Sequence, residues 1–252
     1  MLYQVLVSND WHIPLHDPRA CQLVIDIAQD LNVEYFIING DLTDFYLLNS
    51  HNPKDPEVKF TFEDEIAQTN EWLDKMQKAL PNTKIHYIMG NHEYRLDRFV
   101  RDKCPVFWNL LSVKNELRLA QRNITWTPYN EACRIEGTDL FIQHSPPSYG
   151  ENGARTGLLK KPSASWIWGC THRMQQAHIT DAQGIVRSSY FNGWLGSTTL
   201  TDQHKAVFKY TKNHENWQQG FSIVTVVGND TFVNQYQIKD NRVVIGSNVY
   251  EG

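Results

Sequence analysis

The sequence predicts an α/β chain whose first half alternates strands with helices and whose second half is dominated by strands. Three observations predict it. Short apolar runs alternate with amphipathic stretches up to residue 89, turn signals then separate closely spaced apolar runs, and 41% of the 252 residues are hydrophobic. That proportion supports a substantial core and excludes a mainly disordered chain. The alternation implies a largely parallel central sheet, because parallel neighbours need a crossover and a helix is the usual one.

Residues 5–8 form a first apolar run, closed by Asn9-Asp10. Residues 18–31 predict a helix, with Ala20, Leu23, Val24, Ile27, Ala28 and Leu31 on one face at three-to-four spacing. Residues 35–38 read as a buried strand ending in Asn39-Gly40-Asp41, and residues 62–80 as a second amphipathic helix stopped by Pro81. Residues 85–89 give a third strand, ending in Gly90-Asn91-His92-Glu93. Further strands are expected at 132–135, 140–144, 166–168, 177–180, 185–191, 221–227, 232–238 and 243–245. Turn signals such as Gly137-Thr138-Asp139, Gly184 and Gly228-Asn229-Asp230 separate them. No repeat, low-complexity tract or linker interrupts the chain, so one domain over residues 1–252 is expected.

The formal net charge of −4 disfavours bulk coating of nucleic acid but leaves room for a local positive site. The chain starts without a basic, then apolar, leader, and no apolar run approaches the roughly 18 residues of a membrane helix. Cys21, Cys104, Cys133 and Cys170 form no CxxC pair and read as reduced thiols, the first three as small apolar groups. The expectation is a soluble cytoplasmic protein with no membrane partner.

The chemistry lies at strand ends. Asp10-Trp11-His12, Gly40-Asp41-Leu42-Thr43-Asp44 and Gly90-Asn91-His92-Glu93 each follow an apolar strand, and later strands deliver His144 and Gly169-Cys170-Thr171-His172-Arg173. Each cluster alone is better read as a turn or cap than as a metal site. Together they would converge, since ligands of open α/β sheets collect beyond the carboxyl ends of strands. Converging carboxylates, imidazoles and an amide oxygen suit first-row divalent metals.

From Asp10 to Arg173 these blocks resemble the calcineurin-like metallophosphoesterases, whose pattern runs D-x-H, G-D-x-x-D, G-N-H-[DE], H and G-H-x-H. The wording Ser8-Asn9-Asp10-Trp11-His12-Ile13-Pro14, the run from Gly90 to Arg98, and Asn216-Trp217-Gln218-Gln219-Gly220-Phe221 are similar to branches common in phage and bacterial genomes. The resemblance implies a central β-sandwich flanked by helices and two divalent ions (manganese, zinc, iron or nickel). One ion would take Asp10, His12 and His172, and Asp41 would bridge. The other would take Asn91, His144 and Cys170. His92 would be the general acid, oriented by Asp44. The implied reaction is in-line hydrolysis: the ions lower the pKa of a bridging water, the resulting hydroxide attacks phosphorus, and protonated His92 assists the leaving oxygen.

Cys170 departs from that pattern, which has histidine there. With two divalent ions, Asp10, Asp41 and a hydroxide, a thiolate leaves the centre neutral where a histidine leaves one positive charge, weakening its pull on a phosphate. A thiolate also favours zinc or iron over manganese or magnesium. Three readings stand: Cys170 is a ligand, it is a bystander beside a weakly held second ion, or the site has lost its activity.

Arg95, Arg155 (with Lys160 and Lys161) and Arg173 are candidates for contacting a substrate phosphate, against the plainer reading of solvated surface charge. Asp17 reads as a helix cap before Pro18, with His16 beside it. Trp11, Trp166, Trp168 and Trp194 suit core packing better than base stacking. The other histidines (His51, His86, His178, His204 and His214) carry no assignment. The leading function is hydrolysis of a phosphomonoester or phosphodiester substrate. A nuclease acting on nucleic acid is the runner-up, and a non-catalytic metal-binding protein is the reading from another class. Phe45-Tyr46 after Gly-Asp-x-x-Asp lowers the phosphoprotein-phosphatase reading, because Arg-Gly stands there in those enzymes. The residues are silent on oligomeric state.

Overall fold

The computed structural model describes residues 2–50, 54–197, 205, 207 and 216–252. The strands are β1 (Leu2–Ser8), β2 (Tyr35–Asn39), β3 (Lys84–Ile88), β4 (Thr125–Thr127), β5 (Cys133–Arg134), β6 (Leu140–Gln143) and β7 (Ser165–Trp168). After them come β8 (Gln175–Thr180), β9 (Val186–Phe191), β10 (Gly220–Val227), β11 (Asp230–Gln237), β12 (Arg242–Ile245) and β13 (Asn248–Glu251). The helices are α1 (Pro18–Asp30), α2 (Phe62–Ala79), α3 (Glu93–Lys103), α4 (Val113–Glu116) and α5 (Gly153–Lys160).

Local signals start the two long helices. Asp17 accepts from the amides of Arg19 and Ala20 ahead of Pro18, and Thr61 with Asp64 forms a reciprocal capping box on α2. The apolar stripe of α1 and the buried Trp72, Leu73 and Met76 of α2 pack on one face of a sheet. In that sheet β1, β2, β3 and β4 run parallel in this order. The parallel first half expected from the alternation is therefore observed. What pattern alone did not show is that β10 returns from the far end of the sequence to pair antiparallel with β1, with β11 beyond it.

The second sheet has the order β5-β6-β7-β9-β8. Its inner face meets the first sheet through Val5, Val7, Ile37, Ile88, Leu140, Ile142, Ile167, Val224 and Val226. Strands buried on both faces read as continuous apolar runs, which is why β1, β2 and β10 were visible in the sequence. The outer face, with Trp166, Trp168 and Phe191, packs with Ala154 of α5. The result is the sandwich of two sheets flanked by helices that the resemblance implied. Trp11, Trp166 and Trp168 are buried in these cores, and Trp11 packs edge-on against Trp72.

Several elements carry too little pattern to be read from sequence. Helix α3 buries only Glu93, Leu96 and Val100, α5 contains two glycines and no side-chain cap, and β4 is a three-residue edge strand. No helix among the described residues is long and apolar enough to cross a membrane.

Ile167 is 0% exposed between the sheets, whereas Val244 is 60% exposed. Ile167→Ala is expected to cost about 2–5 kcal/mol in urea unfolding and Val244→Ala no more than about 0.5 kcal/mol.

Candidate metal centre

The turns after β1, β2, β3, β6 and β7 meet at one end of the sandwich. Asp10, His12, Asp41, Cys170 and His172 all have positive φ, between 51° and 66°. Left-handed backbone is costly for residues with a side chain and gathers where function demands a particular aim. Here it turns each side chain back across the strand ends. Gly90 lets two turns approach closely, since a Cβ there would run into Asp41, and one at Gly40 would run into His144.

Glu93 locks the turns together. It is fully buried at the start of α3, and its carboxylate accepts from the amides of Asp41 (2.9 Å), Thr43 (3.1 Å) and Gly90 (2.8 Å). Burial raises its pKa, while the three N–H groups favour the ionised form. The backbone amide of His92 in turn donates to Asp41 Oδ1 at 2.9 Å.

Three groups of donors result, each with its atoms within 4.8 Å of one another: Asp10, His12 and His172; Asp41, His144 and Cys170; His12, Asp44 and His92. Asp10 Oδ1 is buried and receives no hydrogen bond. It lies 3.2 Å from His172 Nε2, 3.6 Å from His12 Nε2 and 3.9 Å from His144 Nε2. His12 Nε2 and His172 Nε2 are 3.0 Å apart. His144 Nε2 stands 3.1 Å from both Asp41 Oδ2 and Asn91 Oδ1, and Cys170 Sγ is 3.0 Å from Asn91 Oδ1. Donors at adjacent corners of a polyhedron with bonds of about 2.1 Å are roughly 3.0–3.4 Å apart, so the spacings of 3.0–3.2 Å within each group fit a cation, and the 3.6 Å and 3.9 Å separations lie just beyond that range.

The outer nitrogens of two of the rings are held, whereas His172 Nδ1 is buried without a partner. Asp44 Oδ2 lies 2.9 Å from His12 Nδ1, and the Asn39 carbonyl lies 2.6 Å from His144 Nδ1. Both rings therefore carry their outer proton on Nδ1 and turn Nε2 inward, the arrangement of metal-ligating histidines. Burial opposes a charge on His12, but Asp10 and Asp44 push its pKa up to about 10. His144 is likewise raised by Asp41 and Asp10 against burial. Burial, helped by the neighbouring His12, prevails over Asp10 at His172, which is lowered, and burial raises the Cys170 thiol. Against the opposing effect of burial, Asp10 is held below the ordinary carboxylate range by His172, His144 and His12, Asp41 by His144, His92 and His12, and Asp44 by His92 and His12.

His92 differs from the others. Its Nε2 lies 2.8 Å from Arg95 Nη2, and because guanidinium only donates, this nitrogen is the acceptor. The ring proton is on Nδ1, 2.6 Å from the Asp44 carbonyl and 3.3 Å from Asp44 Oδ2. Arg95 also donates to that carbonyl at 2.9 Å. Asp44 thus touches both His12 and His92.

A cavity of about 250 Å³ opens beside these groups, lined by Asp41, Asn91, His92, Arg95, Cys170 and His172 among others. Trp194 stacks on His172 at 5.2 Å and Trp217 meets its edge at 4.2 Å. Of the residues expected at the site, Arg155 stands on the exposed face of α5 and Arg173 donates to the Tyr149 carbonyl. Neither lines the cavity, so the structure does not bring these two to the centre. Asp17 is the cap expected of it, and His16 packs on Trp72. His51, His204 and His214 lie outside the described residues. The sequence reading gave Glu93 and Trp217 no role. Glu93 closes the Gly90-Asn91-His92-Glu93 block, but only the fold reveals that it aims at backbone rather than at the cavity.

A sequence profile described as calcineurin-like phosphoesterase matches residues 3–174. No curated protein matches the chain. Among solved structures, the chain is similar to Vps29 from Chaetomium thermophilum, at 12% identity over 94% of this chain and 87% of that one, with a TM-score of 0.48. It is similar to the phosphoesterase YfcE from E. coli at 14% identity, over 94% and 100% of the two chains, with a TM-score of 0.41. For the nuclease MPE from Pseudomonas putida the values are 14% identity, 91% and 87% coverage and a TM-score of 0.38. At these scores none of the three bears on what this chain does.

Glu93→Gln keeps the volume but leaves one buried N–H facing an amide donor. Divalent-metal affinity, measured by isothermal titration with manganese or zinc, is expected to fall about 10–100-fold.

Proposed function

The chain belongs to the calcineurin-like phosphoesterase family, and we propose that it is a metal-dependent enzyme hydrolysing phosphomonoester or phosphodiester bonds. The observation that carries this reading is the buried Asp10 Oδ1, without a hydrogen bond and surrounded by three imidazole Nε2 atoms. Asp10, His12 and His172 would hold one ion; Asn91, His144 and Cys170 would hold the other, with Asp41 facing both. Bound there, a pair of divalent ions would supply the Lewis acidity that polarises a phosphoryl oxygen and makes water nucleophilic near neutral pH. The placement of Cys170 Sγ against Asn91 Oδ1 supports the ligand reading over the bystander reading, and a thiolate donor favours zinc or iron.

Arg95 and His92 would act in sequence. A phosphate oxygen is a stronger acceptor for guanidinium than an imidazole nitrogen. When Arg95 turns to the substrate, His92 Nε2 becomes free to take a proton. Asp44, 3.3 Å from Nδ1, stabilises the imidazolium, which protonates the leaving oxygen. A protein that merely holds metal is the competing reading. The intact His92, Asp44 and Arg95 array argues against it, because a structural ion has no use for an acid facing the cavity.

Metal analysis and hydrolysis of bis-p-nitrophenyl phosphate test the proposal. Turnover is expected on loading with manganese, zinc, nickel or iron, and His92→Ala should lower kcat about 10²–10⁴-fold with metal content unchanged. Full metal occupancy without turnover on any of the four ions overturns the enzyme reading. Cys170→His should move metal preference from zinc toward manganese, and unchanged metal content and turnover would remove Cys170 from the ligand set.

The raised pKa values set the pH dependence of metal uptake. In the metal-free protein His12 stays protonated from its ordinary 6.5 up to about 10, and His144 is raised in the same direction. The stability His12 contributes is complete below 6.5 and fades as pH rises toward about 10. Loading both positions must displace these two protons and that of the Cys170 thiol, whose pKa burial raises, so affinity is expected to rise with pH. Isothermal titration in buffers of different ionisation enthalpy would count about three protons released when both positions fill, and about two if Cys170 is not a ligand.

A further inference from the structure

A second cavity, about 360 Å³, lies next to the metal centre beyond the edge strand β4. One stretch of chain, residues 89–97, contributes to both. Met89 and Tyr94 line the second cavity, while Asn91, His92 and Arg95, from the same stretch of chain, line the first. The Tyr94 amide closes the connecting turn on the Gly90 carbonyl at 3.2 Å.

The walls of this cavity are aromatic. Tyr129 stacks on Tyr94 with ring centres 4.8 Å apart, and Trp126 carries Lys114 over its ring at 5.3 Å. Trp108 is 46% exposed, and its ring has no aromatic or cationic partner among the described residues. Two polar groups interrupt the walls. Ser112 is only 9% exposed, and its hydroxyl has no hydrogen-bond partner. The half-buried Asp97 carboxylate accepts no side-chain hydrogen bond among the described residues. A buried hydroxyl without a partner is a cost that a ligand would relieve.

A flat heterocycle with N–H donors on its edge satisfies every one of these features. Trp108 offers a free stacking face, Asp97 accepts from an exocyclic amino group, and Ser112 either donates or accepts. The volume is within the range of small-ligand pockets and admits one nucleoside. We propose that this cavity is a nucleobase subsite of the adjacent centre, taking a base carried by the phosphoester substrate. The proposal rests on the phosphoesterase reading only for the link to catalysis; base binding is a property of the cavity. Asp97 makes it selective for bases with an amino group, such as adenine, over thymine and uracil.

Binding can be read without turnover. The full metal-loaded chain is titrated with a short single-stranded adenylate carrying phosphorothioate linkages, with its abasic counterpart, with the thymidylate strand and with adenosine monophosphate. The adenylate strand is expected to bind more tightly than the abasic strand. Trp108→Ala should weaken the base-bearing ligand about 5–100-fold and leave the abasic one unchanged. Trp108→Phe should restore most of the loss, and Asp97→Ala, which removes the acceptor, should erase the preference for adenine over thymine. A monophosphate that binds as well as the strand identifies a mononucleotide source, and a tighter strand identifies nucleic acid. Equal binding of base-bearing and abasic ligands, or base affinity indifferent to Trp108→Ala, overturns the subsite. Loss of all phosphoester turnover with base binding intact would overturn the hydrolase reading alone.

Discussion

Three carboxylates and three imidazoles crowded into a buried space cannot all be satisfied by one another. Asp10, Asp41 and Asp44 are buried among His12, His144 and His172, and one of their buried oxygens, Asp10 Oδ1, receives no hydrogen bond. Burying an unpaired carboxylate is expensive, and the usual resolutions are protonation, a cationic partner or a metal. Without metal, protons on His12 and His144 reduce the excess negative charge. With metal, those protons leave and the same lone pairs become ligands. The concentration of left-handed backbone at Asp10, His12, Asp41, Cys170 and His172 is the strain that the fold bears to keep these side chains facing one another.

That strain is held by groups which never reach the cavity. Glu93 ties the turns after β2 and β3 through three amides, and the Asn39 carbonyl orients His144. Asp44 has a double attachment, to His12 on one side and His92 on the other. The proposed ligand set and the proposed acid therefore share one orienting carboxylate. Arg95 completes the linkage, because it occupies the nitrogen of His92 that proton donation would need.

Cys170 makes the two halves of the centre chemically unequal. One half pairs a carboxylate with two imidazoles, and the other offers an amide oxygen, an imidazole and a thiol. A soft donor on one side alone gives a reason for the two positions to prefer different ions. The aromatic cavity beyond β4 adds a second asymmetry, since it flanks the side of the centre built by Asn91 and His92.

The strand runs, the glycines that close them and the ordered donor blocks were all present in the linear pattern. Each is local: an apolar run shows burial, and a donor must be of a particular residue type to bind a cation. Hence the α/β first half, the sandwich and the cluster from Asp10 to His172 could be anticipated, with Arg95 as a companion. Helix α3 and strand β4 were not, because two buried apolar residues or a three-residue edge leave almost no periodic signal. The return of β10 to pair with β1, the aim of Glu93 at backbone amides, the departure of Arg155 and Arg173 from the cavity, and the unpartnered Ser112 in the cavity that Trp108 lines came only from the folded chain. Each depends on where residues far apart in sequence finally lie, and local periodicity holds no record of that.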